Sequence, residues 1–349
     1  MTLKELGIEH KSIEKLFVGY TNFRGELPDI PLKIEEFYEE VKDHISGPPI
    51  AIIDYGVYSD GGKDIDVCFP LKNTKEVEGV KTKFLPIVEV LSIKHHGTHS
   101  TLNETFRQLT NYSQEHVILG TAWLRLVYHK YNQENQDDNL IEIQYNLHKW
   151  DDRLQKSLDR VLNEDVRTEI MKNHEQLFTL ESSYEDRIQW LKEMLDRLDK
   201  IVNDDQKFDI VSCCAHEFSK KRADYMKSIY EKTGDIDQVI KEMQKDNAWY
   251  ENPVRKGNTI YVTKVPVNPE EYEKAQTLEE KKRNYCHCRF INENLDKSIS
   301  PTFCYCGTGW YRQQWEAILG KPIKIGILKS LLKGDDTCEV AIHIPQELQ

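Results

Sequence analysis

Apolar and polar positions follow the same order twice in the first 150 residues. The first pass runs from KLFVGYTNFRG (15–25) through PLKIEEFYEEVKDHI to PPIAIIDYGVY and DIDVCFPL. The second runs from LPIVEVLSIKHHG (85–97) through STLNETFRQLTNYSQEH to GTAWLRLVYHKY and LIEIQYNL. In each, the first, third and fourth segments alternate or run apolar, as strands packed under helices do. The second segments repeat apolar residues at three and four: Ile34, Phe37, Tyr38 and Val41, then Leu102, Phe106 and Leu109. That spacing predicts one amphipathic helix per pass. The expectation is a duplicated strand-helix-strand-strand unit within an α+β chain.

Landmarks keep nearly constant offsets between the passes, pairing Gly25 with Gly97, Tyr55 with Tyr128, Tyr58 with Tyr131, Asp66 with Glu142 and Leu71 with Leu147. Two such units are expected to pack about a pseudo-two-fold axis with a cleft between them, where small molecules usually sit. Side chains alternate along a strand, so Asp66 shares a face with Cys68 and Glu142 with Gln144. One carboxylate from each half is therefore expected at the same seam. A buried Glu is costly unless paired, and a ligand cation is one natural partner. Tyr55, Trp123, Tyr128 and Tyr145 are candidate aromatic walls. The adjacent histidines of HHG (95–97) point to opposite faces of a strand, which disfavours a shared metal.

The final strand, LIEIQYNL, together with the doubled order over residues 10–150, resembles the GyrI-like effector-binding domain of multidrug-responsive regulators. That resemblance implies binding of bulky, often cationic, aromatic compounds between the halves, with a ligand carboxylate at Glu142. The family's tyrosine position holds Gln144 here.

From Trp150 to about Asp205, charged residues alternate with apolar ones at helical spacing, and Ile188, Leu191, Leu195, Leu198 and Ile201 form a stripe. This predicts a helical connector over 151–205 with a wet outer face, whose inner face packs on neighbours or on a second copy in a homodimer.

A cysteine-bearing α+β domain is expected over 206–349. DIVSCCAHEFSKKRADYMKSIYEK reads as one helix with Cys213 and Cys214 near its start, and Asp235 caps another after Gly234. NTIYVTKVPV is a strand, and PIKIGILKSLLKGDDTCEVAIHI two antiparallel strands joined through KGDD. Between them lie two Cys-x-Cys pairs, Cys286 with Cys288 and Cys304 with Cys306. In extended chain both thiols of such a pair project to one side, so four sulfurs can face each other and suit Zn²⁺ or an iron–sulfur centre. A reactive thiol and ordinary buried cysteine are the alternatives. If one thiol is a nucleophile it is Cys306, because CGTGW precedes a helix whose amides stabilise a thiolate, with His216 or His287 as base. GTG itself reads as a turn. The run SPTFCYCGTGWYRQQWEAILGKPI followed by GDDTC resembles a small-molecule-binding family related to 4-vinyl reductase domains and to aminothiazoline-carboxylate hydrolases, which implies ligand binding over 210–345.

Composition narrows the classes. With 39% hydrophobic and 30% charged residues, the 349-residue chain is expected to fold as about two domains. Net charge of −12 disfavours direct nucleic-acid binding. No apolar run reaches the length of a membrane span, and the charged N-terminus lacks a signal peptide's apolar core, so a cytoplasmic protein with mostly reduced cysteines is expected. The sequence thus points to a small-molecule sensor or sequestering binder. The rival is a hydrolase acting on a small electrophilic or cyclic substrate through Glu142 or the Cys306 thiol.

Overall fold

Alternation of apolar residues builds an eight-stranded antiparallel sheet. The chain is seen in a computed structural model that describes residues 2–54, 63–75, 77–116, 118–132, 134–292, 295 and 298–348. It divides into two compact units, Met1–His148 and Lys149–Gln349.

In the first unit the strands are β1 (Glu9–Ile13), β2 (Leu16–Gly25), β3 (Ile50–Asp54), β4 (Lys63–Pro70), β5 (Lys81–Leu85), β6 (Val88–His96), β7 (Gly120–Lys130) and β8 (Leu140–Leu147). Their order across the sheet is β1-β6-β8-β7-β3-β4-β2-β5. Helix α1 (Ile30–Val41) lies between β2 and β3 in the chain, and α2 (Leu102–Glu115) between β6 and β7. From the central β3–β7 pair, the order outward is β4 then β2 on one side, and β8 then β6 on the other.

Both helices cover the same face. Phe37 and Tyr38 of α1 pack on Phe69 of β4, and Phe106 of α2 on Tyr145 of β8. Buried Ile53, Ile65, Val67, Leu91, Leu126, Ile141 and Ile143 share the parity of those contacts and form the core under the helices. Each fully buried aliphatic contributes about 1.5–3 kcal/mol of transfer free energy.

The opposite face takes the other half of each strand. Register pairing places Ser92, Gln144, Arg125, Ile52, Asp66 and Asn22 in one row across six strands. The next row holds Lys94, Glu142, Val127, Ile50, Cys68 and Tyr20.

The second unit holds a four-stranded antiparallel sheet ordered β11-β12-β10-β9, from β9 (Val254–Lys256), β10 (Thr259–Thr263), β11 (Lys324–Lys329) and β12 (Glu339–His343). The helices over 150–201 belong to this unit, where Trp150 packs on Phe290 and Phe303. In helix Tyr184–Ile201, Ile188, Leu191, Leu195 and Leu198 are buried while Ile201 is exposed. The segment expected as one helix around Cys213 and Cys214 is two, Asp204–Val211 and Lys220–Thr233, with both cysteines in the 3-10 turn Ser212–Cys214. Extended backbone at Ala215 interrupts it. Asp235 caps its helix by accepting from the Asp237 amide, after Gly234 ends the previous one at positive φ. No described helix is long and apolar enough to cross a membrane.

Candidate functional site

The face that neither α1 nor α2 covers carries buried charged side chains, Glu142 and Arg125 among them. Glu142, near the middle of β8, is only 5% exposed. Its carboxylate accepts hydrogen bonds from Lys11 Nζ at 3.1 Å and Gln144 Nε2 at 3.1 Å through one oxygen, and from His129 Nε2 at 2.9 Å through the other. A bulge makes the His129 contact. The β7–β8 register slips between Tyr128 and Lys130, so two residues of β7 advance against one of β8, and the extra residue, His129, reaches Glu142. Burial pushes the Glu142 carboxyl up, but the bonds from His129, Gln144 and Lys11 together outweigh it and hold the group below the usual Glu range. Glu142 is thus already paired, and the place expected for a ligand cation is filled by the protein's own donors.

Asp66 is likewise engaged, by Asn22 Nδ2 at 2.6 Å and Lys83 Nζ at 2.5 Å. Asp66 and Glu142 share the face but not a seam. β4 and β8 are separated by β3 and β7, three strand spacings or about 14 Å.

Arg125 of β7 lies in the row between Gln144 and Ile52 and is 3% exposed. Its Nε and Nη1 are buried without a hydrogen-bond partner among the described residues. Burial lowers its pKa, opposed by the nearby Cys68. Beside it, Val18, Ile50, Ile52, Cys68, Leu85 and Val127 form an apolar cluster on which Leu16, Tyr20 and Trp123 pack. Burial pushes the Cys68 thiol up to about 12.

Of the expected aromatic walls, Trp123 sits on this face, opposite Asp54 in register. Tyr128 and Tyr145 lie on the helix-covered face, because each differs from Glu142 or Trp123 by an odd number of strand positions or pairs with a residue of that face. Tyr128 Oη is bonded to His99 Nε2 at 3.0 Å, and the Tyr145 ring fills the space a Cβ would take at Gly120. Tyr55, with its landmark neighbour Tyr58, falls outside the described residues. Lys11, Arg125 and His129 were missed in the sequence. His129 and Arg125 share the parity of Trp123, a signal available there; Lys11 had none, since it reaches Glu142 across 131 positions. The two histidines of HHG do part as expected: His95 is buried between Thr105 Oγ1 and the Thr98 carbonyl, and His96 is exposed.

In the second unit the Cys304/Cys306 pair is helical rather than extended, whereas Cys286 has extended backbone. Cys304 ends a 3-10 turn and Cys306 is the second residue of helix Tyr305–Leu319, so a helical turn separates their directions by about 200°. Cys286 follows the C-terminus of helix Leu278–Tyr285. All the described cysteines are free thiols, and among the described residues no three or more His, Cys, Asp or Glu side chains are grouped to hold a metal ion. Burial pushes Cys286 and Cys306 up to about 11 and Cys304 to about 12, and raises Cys288 as well. For Cys306, burial outweighs the stabilisation expected from the helix amides. Gly307 and Gly309 belong to that helix rather than to a turn.

A buried cluster near these thiols was also not read from sequence. Tyr311 Oη donates to Glu251, which is 9% exposed and holds φ of 55°. Lys264 Nζ lies 4.0 Å from the same carboxylate. Tyr285 Oη donates to the Lys264 carbonyl at 2.5 Å and accepts from the Cys338 amide at 3.1 Å.

No family model matches the chain, and no curated protein matches it. Solved structures are similar over 40% of its length. The EcmrR C-terminal domain is 17% identical, with a TM-score of 0.36 and 96% of its own chain covered. SAV2435 bound to tetraphenylphosphonium is 10% identical, with a TM-score of 0.32 and 93% covered. A hydrolase from Listeria innocua is 9% identical, with a TM-score of 0.31 and 91% covered.

Proposed function

We propose that the first unit is a small-molecule-binding domain, acting as a sensor or sequestering binder, built from two equivalent strand-helix-strand-strand halves that meet at β3 and β7. One observation carries the reading. A single sheet face without a helix of its own buries Glu142, Gln144, Arg125 and Asn146 directly beside an apolar cluster bordered by Trp123. Polar groups beside an apolar wall orient and accommodate a guest; as packing alone they are costly. Glu142 acts here as a structural anchor that fixes Lys11, His129 and Gln144 around the site, because both of its carboxylate oxygens already accept from the protein's own donors.

The test is a thermal-shift screen of the full chain with lipophilic aromatic compounds, followed by titration of any hit against Trp123→Ala. A ligand specific for the native state raises the melting temperature. Hits whose affinity falls in Trp123→Ala support the reading. An empty screen, or hits indifferent to Trp123, removes it.

A further inference from the structure

We infer that the guest of this face carries an anionic group, and that Arg125 receives it. The inference rests on the binding reading above and gives it a ligand class: an amphiphile with an apolar body and a carboxylate or similar anion.

Three observations lead there. First, a guanidinium is never deprotonated in practice, so Arg125 brings a full positive charge into a position 3% exposed. Buried charges are ordinarily paired, and this one leaves Nε and Nη1 without any acceptor. Second, the carboxylates around it are engaged: Asp66 in its own row by Asn22 and Lys83, Glu142 in the row on one side by Lys11, His129 and Gln144, and Asp54, opposite Trp123 in the row on the other side, is not free either. The side-chain amide nitrogen of Gln144, its register neighbour on β8, donates to Glu142. Third, the neighbour on the other side is Ile52, part of the apolar cluster with Val18, Ile50, Cys68, Leu85 and Val127. A ligand seated with its anion on Arg125 therefore lays its apolar part on that cluster. Charge-assisted hydrogen bonds to a guanidinium are among the strongest a site can offer.

The arrangement selects against cations twice. The unpartnered charge repels them, and the one carboxylate that would attract them is neutralised by its own donors.

The experiment uses the full chain and three probes of equal length: decanoate, decan-1-ol and decyltrimethylammonium, each titrated calorimetrically below its micelle concentration. Decanoate is expected to bind about tenfold or more tightly than either of the others, the gain of one charge-assisted contact in a buried site. In Arg125→Met, which keeps an apolar side chain of similar length, decanoate should fall to the level of decan-1-ol while decan-1-ol itself is retained. Equal or reversed preference in the wild type, or a decanoate preference that survives in Arg125→Met, overturns the inference and leaves the binding reading standing. Failure of all three probes to bind also overturns the inference, whereas the binding reading falls only with an empty aromatic screen or with hits indifferent to Trp123.

Discussion

Gln144 and Arg125 face each other in register across β8 and β7, and while the Gln144 amide nitrogen donates to Glu142 at 3.1 Å, the Arg125 Nε and Nη1 meet no acceptor among the described residues. The geometry separates two charges that simple attraction would bring together. Glu142 is satisfied from both sides of β8, by Lys11 of β1 and His129 of β7, and by Gln144 of its own strand, and Arg125 remains a buried donor.

The stability of the apo protein should register that imbalance. An unsatisfied buried polar group costs about 1–3 kcal/mol. Arg125→Met is therefore expected to raise the urea midpoint of the full chain by an amount of that order, with an unchanged m-value. Such a gain at the residue proposed to receive the anion would be an exchange of function for stability.

Glu142 should make stability depend on pH. Its carboxyl is held below the ordinary value, so the bonds from His129, Gln144 and Lys11 stabilise the fold above the unfolded pKa of about 4.3 and are lost as pH falls through the lower folded value. Glu142→Gln is expected to lose about 1–2 kcal/mol near pH 6. The gap to wild type should shrink below pH 4, as measured by urea melts across that range.

Gly309 lets helix Tyr305–Leu319 pass close to the turn that carries Cys213 and Cys214. A Cβ at Gly309 would lie 1.8 Å from the Ser212 carbonyl oxygen and 2.7 Å from the Ala215 Cβ. Neither can move without displacing backbone, so Gly309→Ala should destabilise the chain by about 2–3 kcal/mol or more. Gly307→Ala in the same helix meets nothing within 4 Å and should be neutral or mildly stabilising. Thermal melts of the pair separate helix propensity from close approach.

Much of the first unit could be read from the chain because parity in a strand is absolute. Leu124, Leu126, Ile141 and Ile143 fall under the helices as their alternation implies. The same parity already set Tyr128 and Tyr145 apart from Trp123 and Glu142, so their placement on the other face was available in the sequence. What sequence does not carry is which side chain answers which. Lys11 comes from an edge strand, His129 arrives through a bulge, and the absence of an acceptor for Arg125 Nε and Nη1 among the described residues shows only in the folded sheet. The thiol pairs show a second limit. Cys-x-Cys looks different in strand and in helix, and the glycines of CGTGW argue for a turn by propensity, whereas close packing on the Ser212 carbonyl requires a glycine within the helix.

The thiols of the second unit should be slow nucleophiles. With Cys286 and Cys306 raised to about 11, their thiolate fraction at pH 8 is roughly a thousandth. Iodoacetamide is expected to modify them in the native protein far more slowly than in urea, as peptide mass spectrometry will show. Rapid native labelling of Cys306 would instead revive it as a nucleophile.

Tyr311 donates its hydroxyl to the buried Glu251 carboxylate, at a residue with left-handed backbone. Tyr311→Phe strips that carboxylate of its hydroxyl donor and leaves Lys264 as a neighbour at 4.0 Å. The expected cost is about 1–3 kcal/mol, read from the urea midpoint.

The two-sidedness of the eight-stranded sheet has an evolutionary consequence. Along β7 and β8, alternate letters answer to different neighbours: one set to the helices, the other to the network of Glu142 and the apolar cluster on the opposite face. A change at one parity therefore leaves the other parity's contacts in place, so the two faces of the sheet are free to diverge at different rates.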